Sequence, residues 1–157
     1  NGRNLVEKKE KEVSAELKGK ELDLYVQGSK LYKKDGYCAT CHQMNGKGLA
    51  GSGFPPLANS KWVTGNEDRL IKIVLKGMMG ALELNGVKYD GQVPMTPFGG
   101  LMNDQEIAAV LTYVRNSFGN KASVISSAQV KAIRMATSNK TDLYQAGQLL
   151  KEHPMEK

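Results

Sequence analysis

All the cysteine in this chain lies in one short stretch, GYCATCHQMNGKG. Cys38 and Cys41 are its only two cysteines, and His42, one of two histidines in 157 residues, follows at once. Two thiols at that spacing with an imidazole beside them must share one turn of backbone, so whatever they bind fixes the local fold. A redox dithiol or structural disulfide is one reading, but thioredoxin-like pairs follow a strand in a βαβ pattern. Here a helical pattern precedes the pair and no parallel-sheet pattern is present. Zinc is a second reading, and it asks for a fourth ligand at short spacing, usually from another Cys or His pair. The remaining histidine, His153, lies far along the chain.

The third reading is covalent attachment of a c-type haem, for which Cys-x-x-Cys-His is the signature. Two thiols add to the two vinyl groups on one edge of the porphyrin, and the next residue turns back under the iron to offer an imidazole. Cys38 and Cys41 are then the thioether anchors and His42 the proximal ligand. A flat apolar cofactor also completes a core that the helices alone fill poorly.

The iron's other face calls for a sixth ligand. Met is a soft thioether that raises the reduction potential when paired with His, and seven Met are present. Met95, in VPMTPFGG, sits in a loop pinned by Pro94 and Pro97, 53 residues after His42. It is placed first, with Met79 and Met102 as the other candidates. Met78 and Met79 follow a helix face and read as core. Met44 is too close to His42 to cross the ring. His153, beside Pro154 near a terminus, reads as a surface histidine.

The rest of the chain organises around this motif. Residues 1–20 mix both charge signs with few apolar positions and read as a charged linker or helical extension. Leu24, Gly28, Leu31 and Tyr32 give one face to a helix over residues 21–34. Residues 43–63 form a long Gly- and Pro-rich loop, held by Phe54, Leu57 and Trp62. A helix is predicted over residues 67–76, ended by Gly77. ALELNGVKYDG reads as a hairpin turning at Asn85-Gly86, and GQVPMTPFGG as a second irregular loop. Asn103 and Glu106 form a capping box for a helix with its stripe at Ile107, Val110, Leu111 and Val114. Two short helices follow, over residues 127–136 and 142–151, with Ser126 and Thr141 as caps.

The formal charge of +6 admits an anionic partner, but the lysines are spread and no nucleic-acid motif is present, so no nucleic acid is expected. No run approaches the roughly 20 apolar residues of a membrane span. The chain opens NGRNL and not with Met, which suggests a processed or excised piece of something longer.

Taken together, these segments resemble a class I c-type cytochrome domain over residues 21–120. The resemblance rests on CATCH, FPPLANSKWV, NGVKYDGQVPMTPFGG and DQEIAAVLTYVRNSFGN in that order. They are similar to the monohaem modules attached to bacterial periplasmic dehydrogenases of the sugar-dehydrogenase type, and LLKEHP resembles the end of such proteins. The resemblance implies an all-α class I cytochrome c fold around one haem, with a small hairpin. It also implies that the Pro55 carbonyl accepts a hydrogen bond from His42 Nδ1, that Leu57 packs on the haem, and that Gly28 and Tyr32 pack near Tyr113. Trp62 and Arg69 become candidates near the propionates, with packing and a surface charge as the alternatives. The chain departs from the family pattern in a longer LYKKDGYC, in the Pro-Met-Thr-Pro order of the Met loop, and in residues 121–157, a C-terminal helical extension beyond the family core.

Three functions are therefore in view. The first is a His/Met-ligated electron carrier working between a periplasmic dehydrogenase, or other donor, and a respiratory acceptor. It is not an enzyme itself, though it suits the haem module of a larger oxidoreductase. Its redox partner, or a fused dehydrogenase domain, could dock by an acidic surface on Lys47, Lys61 and Lys88. The second is a haem enzyme or a gas or peroxide sensor with an open or labile distal site. The third is a haem-stabilised interaction domain with the tail as docking element. Haem attachment in the family occurs outside the bacterial inner membrane, which implies a periplasmic location.

Overall fold

The computed structural model describes residues 16–156, together with Asn4, Leu5, Glu7, Lys8 and Glu10. Half of residues 1–20, for which a charged linker or helical extension is expected, lies outside the described residues. Glu10 is described, and its carboxylate accepts hydrogen bonds from Tyr113 and Lys33.

Two helices cross at the centre. Helix α1 (Lys20–Lys33) buries Tyr25, Gly28 and Tyr32, a spacing that lines one face. The buried face is turned slightly from the predicted one: Tyr25 is inside, whereas Leu24 and Leu31 are half-exposed. Gly28 is the crossing point. A Cβ there would lie 2.0 Å from the Ala109 carbonyl oxygen and 2.8 Å from Tyr113 Cβ, so only glycine lets the backbones come this close. Around this crossing, Tyr25, Tyr32, Tyr113 and Phe118 pack as tilted or edge-on rings 5.1–5.8 Å apart.

The motif forms its own short helix, α2 (Cys38–His42). It is tied to α1 because Tyr32 Oη donates to the Gln43 carbonyl at 2.6 Å. After the long loop, with one 3₁₀ turn at Ala50–Ser52, come α3 (Lys61–Thr64) and α4 (Glu67–Lys76). The Asn66 side chain caps α4 by accepting from the Arg69 N–H at 2.8 Å. Gly77, at φ 76°, ends it, a left-handed conformation natural to glycine.

Strand β1 (Met78–Met79) follows, then the hairpin of β2 (Leu82–Leu84) and β3 (Val87–Tyr89). The hairpin turns on Asn85 and Gly86, both at positive φ, as a two-residue type I′ turn requires. Helix α5 (Asp104–Arg115) carries the expected capping box: Asn103 accepts from the Glu106 N–H, and Glu106 accepts from the Asn103 N–H. Every residue from Ile107 to Arg115 is buried, because α1, α4 and α6 all pack on this helix.

The extension wraps the core. Helix α6 (Ser127–Ala136) starts at a second capping box, Ser126 with Gln129. Its Arg134 holds Asp104 at 2.7 Å and the Met102 carbonyl at 2.9 Å. The last predicted helix begins later than the sequence suggests. Tyr144 and Gln145 form strand β4, paired in parallel with Met78 and Met79, and only then does α7 (Ala146–Glu152) begin, with Gln145 and not Thr141 before it. Pairing across the fold outweighs the local cap signal.

This end does not fray. Arg69 is completely buried and donates to the carbonyls of His153 at 3.0 Å and Pro154 at 3.3 Å, and to the Glu156 carboxylate at 3.1 Å. The alternatives of a propionate partner and a surface charge both give way to this role. His153, expected at the surface, is partly buried, and its Nε2 is enclosed without a hydrogen-bond partner. Two apolar clusters result. One lies around α1, α4 and α5. The other joins Trp62, Ile73 and Leu84 to Tyr144, Ala146 and Leu149.

Candidate functional site

The centre of the molecule holds a cavity walled almost wholly by apolar side chains, the kind of lining a small-molecule cofactor site has. Its walls come from α2, the Pro-rich loop, α3, α4, the β1–β2 region, the Met95 loop and α5. Cys38, His42, Pro55, Leu57 and Met95 all line it. Cys41, on the same short helix, is half-buried and stands outside the lining.

His42 is fixed by its surroundings. It is buried at the end of α2, and its Nδ1 lies 2.8 Å from the Pro55 carbonyl oxygen. Since that carbonyl only accepts, Nδ1 donates and Nε2 keeps its lone pair. Burial pulls the imidazole below its ordinary value, and the Pro55 hydrogen bond opposes this in part. The ring is thus held in one orientation, with Nδ1 committed to Pro55. Leu57 is held by Asn120, whose side chain donates to its carbonyl at 2.9 Å while accepting from the Asn59 N–H at 3.0 Å.

Cys38 and Cys41 form no disulfide with each other. Burial, with Cys41 nearby, pushes the Cys38 thiol up to about 11. A redox dithiol needs the reverse, a thiol driven toward thiolate. Zinc finds no donor set either: among the described residues no three His, Cys, Asp or Glu side chains are placed to hold a metal ion.

Among the methionines, Met95 lines the cavity and its backbone is locked to Met78 in both directions, at 2.8 and 3.3 Å. Met79 lies in a surface groove with Lys76 and Lys140. Met102 is buried in the core, away from the lining. Met78, read from sequence as core, does line the cavity, so two thioethers stand at this wall.

Sequence reasoning missed two further features. The sequence offers Trp62 as a candidate near the propionates but gives no sign of Ser60, and Trp62 Nε1 and Ser60 Oγ are both buried without hydrogen-bond partners on the cavity wall. Unpaired buried donors in an otherwise apolar wall call for an acceptor, and the carboxylates of a haem supply one. Phe98 also joins the lining, its ring 5.5 Å from that of Tyr37 beside Cys38. An apolar slot with one oriented imidazole, thioether sulfur, a thiol and two waiting donors fits a haem.

Comparison with known proteins agrees. The family model described as Cytochrome c matches residues 25–118. Cytochrome c-552 of Thermus thermophilus is 37% identical over 116 residues, covering 68% of this chain and 83% of that protein. The cytochrome c subunit of a quinone alcohol dehydrogenase from Gluconacetobacter polyoxogenes is 35% identical over 111 residues, covering 69% of this chain and 22% of the subunit. The fructose dehydrogenase cytochrome subunit of Gluconobacter japonicus is 31% identical over 114 residues, covering 68% of this chain and 22% of the subunit. The chain thus spans most of the first relative and about a fifth of the other two. Site and comparisons converge: the chain belongs to the cytochrome c family, a helical electron-transfer domain built around one covalently bound haem c.

Proposed function

We propose that this chain passes single electrons from a periplasmic dehydrogenase, or another donor, to a respiratory acceptor, with residues 21–120 as the haem domain and residues 121–157 as an extension supporting it. The observation that carries this reading is the shared cavity of His42 and Met95, each locked in place by a backbone hydrogen bond. A haem c bound there supplies one-electron exchange at iron. Cys38 and Cys41 anchor it as thioethers, His42 Nε2 and Met95 sulfur hold its metal, and Leu57 packs against it. The Pro55 carbonyl makes the His42 ring a better donor. The apolar wall excludes water, which limits the reorganisation that electron transfer costs.

A closed pair of ligands leaves small molecules no place to bind, so the chain does no bond chemistry of its own. The relatives named as dehydrogenase subunits support a dehydrogenase as donor, either a separate protein or a fused domain. They also support export, since haem attachment in the family takes place outside the inner membrane. Among the described residues no helix is long and apolar enough to cross a membrane.

The test is the absorption spectrum of the oxidised holoprotein. A weak long-wavelength band from Met sulfur to ferric iron is expected, and it is lost in Met95→Ala. A high-spin spectrum without that band removes Met95 as ligand and moves the haem enzyme or sensor reading forward. Survival of the band in Met95→Ala and its loss in Met78→Ala transfers the role to Met78.

A further inference from the structure

The cavity wall carries no Asp, Glu, Lys or Arg among the described residues, but two full charges stand behind it. Ser60, Trp62 and Val63, on and just before α3, all line the cavity, and the outer side of this stretch is held by two guanidiniums. Arg69, from α4, donates to the Lys61 carbonyl at 3.1 Å and lies 5.2 Å from the Trp62 ring. Arg115, at the end of α5, donates to the carbonyls of Val63 at 2.7 Å and Gly65 at 3.1 Å. Arg69 is 0% exposed and Arg115 2%. Burying a charge to hold carbonyls that a neutral donor could hold is a weak route to stability, so the charges call for a second role.

Their counter-charges differ in kind. Glu67 lies 3.8 Å from Arg115, and its carboxylate also accepts from Ser123 and Gln129, so it is fixed among core elements. Glu156 lies 3.1 Å from Arg69, accepts from the Asn66 N–H at 2.6 Å, and its charge also acts on Arg115. Lys61 is the other cation on this side, its Nζ 3.5 Å from the Glu156 carbonyl oxygen. Glu156 is 40% exposed in its side chain, and it comes from the C-terminal segment, outside residues 25–118 of the family match.

Resting on the electron-carrier reading, we infer that Arg69 and Arg115 raise the reduction potential of the site from behind its wall, and that Glu156 is the counter-charge by which the C-terminal segment adjusts it. Uptake of one electron lowers the charge in the cavity by one. A cation behind the wall favours that lower-charge state, and an anion disfavours it. The wall between is apolar, so the field of two buried guanidiniums is little screened. Arginine stays charged at every working pH, so its contribution is constant. Glu156 can vary. Bonds from its own N–H, Arg69 and Asn66 hold its carboxyl below the ordinary 4.5, which keeps it ionised at neutral pH, and acid removes its charge.

Mediated potentiometric titration of the holoprotein tests this. Glu156→Gln keeps an acceptor for Asn66 and Arg69 and removes only the charge. Its midpoint should rise by at least about 18 mV, a twofold gain in the ferrous-to-ferric ratio at about 59 mV per tenfold, with the absorption spectrum unchanged. The gap between parent and variant should close as pH falls through the Glu156 value, where both carry a neutral side chain. It should also narrow from about 0.01 M to about 1 M salt, because this carboxylate meets solvent. Arg115→Met should move the midpoint down. The sign of the Glu156→Gln shift separates charge from structure: a tail merely loosened by the change would admit water and lower the potential. An unchanged or lower midpoint in Glu156→Gln, a gap indifferent to pH, or a rise in Arg115→Met overturns the inference, and the Glu156→Gln result decides it even where Arg115→Met fails to fold. Failure of the carrier reading is separate: it would show as no one-electron step in the parent protein.

Discussion

Replacing Arg69 with Met removes one guanidinium and keeps most of the stem lying beside Trp62, whose ring is 5.2 Å from the Arg69 carbon centre. The bonds lost run to the carbonyls of Lys61, His153 and Pro154 and to the Glu156 carboxylate. They are not equal in consequence. The Lys61 carbonyl also accepts from the Gly65 N–H at 2.9 Å, so it stays satisfied. The Glu156 side chain is 40% exposed and can turn to water, so its ion pair contributes little. That leaves two carbonyls, His153 and Pro154, orphaned if the tail stays docked, at about 1–3 kcal/mol each. The tail can avoid much of this by lifting off, so the damage is local. Its docking should weaken by about 2–4 kcal/mol, which is an acceleration of amide exchange on the order of a hundredfold. Hydrogen exchange read by mass spectrometry has two reporters: the His153 amide, bonded to the Leu149 carbonyl, and the Asn66 amide, bonded to Glu156. Both should lose protection while α1 and α5 keep theirs. Unchanged exchange at these amides, or an equal loss throughout the core, would refute the reasoning.

Gly28→Ala sets a gain of up to about 1 kcal/mol in helix propensity against a Cβ placed 2.0 Å from a carbonyl oxygen that cannot move alone. The clash wins, and guanidinium unfolding should show a net loss of about 1–3 kcal/mol at unchanged m; a higher midpoint would count against so tight a crossing. Acid should loosen the tail. Burial pushes the Glu156 carboxyl up, but bonds from its own N–H, Arg69 and Asn66 more than offset this and hold it below its ordinary 4.5. A depressed carboxyl stabilises the docked tail above its unfolded value, and that help is lost as pH falls through the folded one. Exchange at the Asn66 amide should therefore rise in that acid window, and the rise should flatten in Glu156→Gln. Leu149→Ala, at a fully buried position, should destabilise the second cluster by about 2–5 kcal/mol. It should also lower the reduction potential, because water nearer the cofactor favours the more charged ferric state; potentiometric titration showing no change or a rise contradicts this.

What the sequence made legible was local. CATCH carries its chemistry in adjacent residues, and the capping boxes at Asn103 and Ser126 are written within four positions. The hairpin turn at Asn85-Gly86 is equally local. What it concealed was settled between distant segments. Tyr144 and Gln145 carry no strong strand signal, and they extend because Met78 and Met79 offer an edge across the fold. Arg69 resembles a solvated helix charge until the tail returns and supplies its acceptors. Ser60 and Trp62 show no sequence sign that their polar atoms end up unpaired at one wall. On α1, Tyr25 takes the buried place that the apolar pattern assigns to Leu24, because Tyr25, Tyr32 and Tyr113 pack as one group.

The extension explains how a wall so short in regular structure stays in place. Trp62, Ile73 and Leu84 each belong to the cavity lining and to the second cluster. One side of this layer therefore faces the cofactor's space, and the other is covered by Tyr144, Ala146 and Leu149. Beyond Ile73 on α4, the layer consists of a four-residue helix and a hairpin with three-residue strands, too little structure to exclude water without that cover. The parallel pairing of β4 with β1 acts on the same wall, since Met78 is bonded on one side to the Met95 backbone and placed on the other against Tyr144. The C-terminal segment is thus continuous with the site: it braces the loop that presents Met95, and Arg69 fastens its end beside Trp62.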